Sequence, residues 1–128
     1  GELRALEGAK NQLQNHSPHV VFEIHSLYSD WSNGLENADI IKFVKDFGYT
    51  VFAVRDFHHN HDTGDLPIEL DLPEKTIIRD YEKLPHGYNM LAVKDVSTVQ
   101  NDSFSLLEEV SPKYLLHKEA KYFHPQKR

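Results

Sequence analysis

The chain has 128 residues, 39% apolar and 27% charged, a balance that suits one globular domain with a modest core. A net charge of −6 excludes a nucleic-acid surface as the main business, because phosphate binding needs a clustered positive patch. With no cysteine, a disulfide framework, a thiolate zinc site and a Cys nucleophile are excluded as well.

No apolar run approaches the ~20 residues of a membrane span and nothing resembles a signal peptide, so a cytoplasmic protein without membrane contact is expected. The chain opens at Gly1 directly in a helical pattern, which predicts the cut end of a longer protein or a designed piece. Leu3, Leu6, Ala9 and Leu13 recur at helical spacing and predict one amphipathic helix from about Glu2 to Gln14. Asn15 to Pro18 are turn residues. A nearly continuous apolar run, His19 to His25, predicts a strand buried on both faces. At period 2, Glu23 and His25 share one face near its end.

Asn37 is placed to cap a helix over Ala38–Phe47, and Gly48 suits the left-handed position after it. A second strand is predicted over Thr50–Arg55. Strand, helix and strand at this spacing form a βαβ unit, whose ligand site lies beyond the carboxyl ends of the strands. Glu23, His25, the loop through Asp30 and Trp31, and Asp56 therefore belong to one edge. A long polar stretch follows from Phe57 to Glu74, in the manner of a lid or binding loop. Ile77 and Ile78 suggest a short element, and Tyr88–Val96 a third strand. Ser103 is placed to cap a short helix through Glu109, and Ser111 with Pro112 to start a last one ending near Phe123.

Two constellations carry chemistry. Histidine changes charge near neutrality, so His25 suits the role of a base, with Glu23 beside it to orient it or hold a substrate. The plainer reading is a satisfied polar pair at the end of a sheet. In the long loop, His58, His59, His61, Asp62 and Asp65 are dense enough to bind a divalent metal, with His59, His61 and Asp62 as the candidates. Their spacing matches no known metal site, and a solvated polar loop explains them equally. Tyr28, Trp31, Phe57 and Tyr88 could line a pocket, although core packing accounts for each.

The segments GELRALEGAK, HVVFEIH, IIKFVKDFGYTVFAV and YNMLAVK, in this order, resemble the C-terminal half of the FkbM-type methyltransferases. Glu2, Leu6, Gly8 and Ala9 match the later part of that family's acid-x-E-G-x-E-x-x-x-L-x-G-A pattern. Glu23 and His25 match its E-x-H strand ending, and Asn89 with Leu91, Ala92 and Val93 its last strand. The resemblance covers roughly residues 1–96 and leaves 97–128 as a helical extension. It implies part of a doubly wound, Rossmann-like α/β fold with a mixed sheet, the last strand lying antiparallel between its neighbours. It further implies S-adenosylmethionine-dependent methylation of a hydroxyl on a small molecule or glycan, with His25, Glu23 and Glu2 as catalytic residues. Asp30, Trp31 and Asp56 stand as second-rank substrate contacts on the same edge.

The family's cofactor half has no counterpart here. No strand is followed by a glycine-rich turn that opens a helix, so S-adenosylmethionine is expected in the full-length parent and not in this segment. Along Val20–Ile24 the missing neighbour would leave an exposed edge, and a partner chain, the N-terminal half or a rearranged sheet is expected to cover it.

The same stretch also resembles the PHP metal-dependent phosphoesterases through FEIHS, Ser29-Asp30 and Arg55-Asp56-Phe57, with Glu23 and Phe57 standing where two histidine ligands belong. A third reading is a non-enzymatic α/β module that serves in binding or assembly.

Overall fold

The computed structural model describes residues 2–25, 30–31, 33–55, 66–76 and 87–108. They form a five-stranded mixed sheet with helices, an α/β arrangement. None of the described helices is long and apolar enough to cross a membrane.

Two short helices open the chain, α1 (Glu2–Gly8) and α2 (Lys10–Asn15), where the sequence predicts one. The break falls after Gly8, the residue with the least helical preference in the run after proline, and Ala9 leaves helical geometry. The β1 strand (Val20–His25) leads through a 3-10 turn, Leu35–Asn37, to α3 (Asp39–Lys45) and then β2 (Thr50–Val54). Ala38, not Asn37, is the residue before α3. The Asn37 side-chain Nδ2 instead donates to the carbonyl of Asn33, four residues back, and so closes the preceding turn. Gly48, at φ 87°, takes the left-handed conformation expected after the helix.

Strands β3 (Ile68–Asp71), β4 (Gly87–Val93) and β5 (Phe104–Leu107) complete the sheet in the order β1-β4-β2-β3-β5. As the resemblance implies, β4 lies between β1 and β2, antiparallel to both. Two elements differ from expectation. The polar stretch after β2 contains β3, antiparallel to β2. The helix predicted from Ser103 is β5, parallel to β3. The Ser103 amide donates to the Asn101 side chain, so the polar residues there build a turn into a strand and not a helix cap. Residues 97–108 are thus not helical beyond the 3-10 turn Val96–Val99. The predicted element at Ile77–Ile78 and the last helix lie outside the described residues.

The core lies on one face of the sheet. Phe22 and Ile24 of β1, Met90 and Ala92 of β4, and Val51 and Ala53 of β2 project there against Ile40, Ile41 and Val44 of α3 and Leu13 of α2. Leu3 and Leu6 of α1 pack on the same cluster. A smaller apolar group, Phe52, Leu70 and Val93, lies on the opposite face with Leu91, Val99 and Phe104. The β1 strand is therefore buried on one face only. Val21 projects to the other face and is 63% exposed, because β1 is the outer strand and β4 is its one neighbour among the described residues.

Candidate functional site

The alternation of β1 sets the first cluster. Phe22 and Ile24 enter the core, which turns Glu23 and His25 to the opposite face, both half-buried. Across the ladder Glu23 stands opposite Asn89 and His25 opposite Gly87. The Glu23 carboxylate reaches toward the end of the strand and lies over Gly87, so close that a Cβ there would stand 2.5 Å from its Oε1. Glu23, His25, Gly87 and Asn89 thus form one polar patch at the carboxyl end of β1, on the strand's outward face. The sequence places Glu23 and His25 on one face, and the structure brings them together as expected.

It does not bring Glu2 to them. Glu2 is exposed at the start of α1, whose apolar side packs on the helical face, so the sheet stands between Glu2 and the pair. Asp30 is exposed. Trp31 is buried in the core, its ring 5.3 Å from that of Tyr88 and tilted by 49°. Both rings serve packing, and burial pushes the Tyr88 phenol up to about 12. Asp56, His58, His59, His61, Asp62 and Asp65 lie outside the described residues. Among the described residues no group of three His, Asp or Glu is placed to hold a metal ion.

A second polar cluster escapes the sequence reading. Arg55 follows β2, with Glu69 and Asp71 on β3 beside it, all three buried and on the helical face. The Arg55 guanidinium donates to Glu69 Oε1 at 3.2 Å, with side-chain exposures of 0% and 4%. The backbone locks the same pair, since the Arg55 amide donates to the Glu69 carbonyl. Antiparallel pairing brings the start of β3 alongside the end of β2, so the cluster stands at the same edge of the sheet as His25. Period-2 alternation of Ile68, Leu70 and Leu72 is the signal that could have revealed β3, and with it the inward aim of Glu69 and Asp71.

The sheet's apolar groove, about 250 Å³, lies elsewhere. Thr50, Phe52, Leu70, Leu72, Val99 and Phe104 are among its walls, near the start of β2, and among the described residues no titratable side chain lines it. Glu23, His25, Arg55, Glu69 and Asp71 stand toward the opposite edge of the sheet, where β1 and β2 end and β3 begins. No protein-family model, no curated protein and no solved structure matches this chain.

Proposed function

We propose that the chain is the acceptor-side half of an S-adenosylmethionine-dependent methyltransferase domain of FkbM type, acting on a hydroxyl of a small molecule or glycan. The observation that carries the reading is the order of the sheet: β4 runs antiparallel between β1 and β2, and among the described residues β1 is the outer strand on the far side. That is the arrangement the FkbM resemblance implies for the end of the domain. The outer side of β1 is then the seam that the cofactor half would cover.

The described residues do not fit the cofactor itself. Their two glycines at positive φ, Gly34 and Gly48, precede a 3-10 turn and follow α3, and neither opens a helix directly after a strand as a nucleotide cradle requires. The cofactor belongs with the polypeptide across the seam. What remains for this chain is to seat the acceptor and to move its proton. His25 takes the proton of the acceptor hydroxyl, and the Glu23 carboxylate orients the imidazole or the acceptor.

The test is methyl transfer from labelled S-adenosylmethionine by the complete protein that the reading frame encodes. His25→Ala is expected to lower turnover about 100-fold or more, the usual scale for a lost general base. Unchanged turnover would remove His25 from the mechanism. A complete protein that neither binds the cofactor nor transfers a methyl group would refute the reading.

A further inference from the structure

We infer that Gly87 is a positioning residue: β4 carries no side chain there so that the Glu23 carboxylate can lie across the strand beside His25. The inference deepens the methyltransferase reading and rests on it for its kinetic arm.

Glycine is a poor strand residue, since it offers nothing to pack and gives up the most chain entropy. Gly87 nevertheless opens β4 directly opposite His25. Its backbone does not demand glycine, because among the described residues only Gly34 and Gly48 have positive φ. The demand comes from what stands on it. A Cβ at this position would lie 2.5 Å from Glu23 Oε1, 3.0 Å from Cδ and 3.3 Å from Cγ. Real Cβ contacts at 2.5 Å essentially do not occur, so the carboxylate would have to leave.

The direction in which Glu23 leans matters. Its own cross-strand neighbour is Asn89, yet its carboxylate lies over Gly87, one pleat nearer the end of β1 and facing His25. The bare Cα of Gly87 thus sets where the negative charge stands relative to the imidazole. The atom that would yield to a new methyl is the far end of a flexible side chain. Gly87→Ala therefore removes the placement of Glu23 without removing the strand.

The experiment is a double-substitution cycle in the complete protein: Gly87→Ala, Glu23→Ala and both together. Turnover, thermal unfolding and the His25 imidazole resonances are read for each. With Glu23 present, Gly87→Ala is expected to shift the His25 resonances and lower turnover about 10-fold or more, with a melting curve close to that of the parent. With Glu23→Ala in place, Gly87→Ala changes neither the resonances nor the turnover further. An equal effect in both backgrounds, or a large loss of stability in both, would overturn the inference. If the Glu23-dependent resonance shift is found in a protein that transfers no methyl group, the seat stands and the methyltransferase reading falls.

Discussion

Arg55→Met keeps the side-chain stem and removes the guanidinium from a buried ion pair. Arg55 and Glu69 are 0% and 4% exposed at the side chain, and the guanidinium stands 3.2 Å from Glu69 Oε1. At that distance and an effective dielectric of about 20, the attraction is roughly 5 kcal/mol. Desolvation offsets part of it, so the pair's net contribution is smaller. Removing one partner is different, because the buried carboxylate keeps its desolvation cost and loses the Arg55 charge beside it. Asp71, 1% exposed on the same strand and face, places a second carboxyl group in the site. The expected loss is about 3–5 kcal/mol, a large part of the roughly 5–15 kcal/mol that holds a domain together. Urea unfolding followed by the emission of Trp31, the single tryptophan and a core residue, reads it directly. Replacing both partners, with Arg55→Met and Glu69→Met, is expected to cost less than Arg55→Met alone. A single substitution costing under about 1 kcal/mol, or a double one costing the sum of the two, would refute the reasoning.

Two further outcomes follow from the core. Met90 is 0% exposed in the central region of the sheet, and Met90→Ala is expected to cost about 2–5 kcal/mol in the same unfolding assay. Tyr88 bears on alkaline stability. Burial raises its phenol from 10.0 to about 12, so the neutral form is favoured in the folded state. That contribution is fully present below pH 10 and is lost as the pH climbs from about 10 to about 12. Tyr88→Phe should flatten that part of the decline in a series of urea midpoints, whereas an unchanged slope would mean that Tyr88 ionises as readily folded as unfolded.

The central part of the fold is legible because its signals are redundant. The apolar runs of β1 and β2, the stripe of Ile40, Ile41 and Val44, and Gly48 after the helix each point to the same βαβ unit. The place of β4 is another matter. Periodicity gives the strand but not its neighbours, and only the family resemblance puts it between β1 and β2. β3 is hidden by its own chemistry, because Glu69 and Asp71 make Ile68–Asp71 look like loop when both acids in fact point inward beside Arg55. β5 is hidden by Asn101 and Ser103, whose turn resembles a helix cap in sequence. The site is legible in the same partial way. Alternation puts Glu23 and His25 on one face, as found, whereas Gly87 becomes meaningful only when a side chain from another strand is seen lying over it.

The account turns on the outer side of β1, where the cofactor half is proposed to dock. Hydrogen exchange of the Val20–Ile24 amides, compared between this chain alone and the complete protein, tests it most directly. Amides that do not pair with β4 should exchange rapidly in the chain alone and gain strong protection in the complete protein, as a parallel strand settles against them. If those amides are equally protected in both, or remain open in the complete protein, β1 is not the seam and the methyltransferase reading loses the observation that carries it.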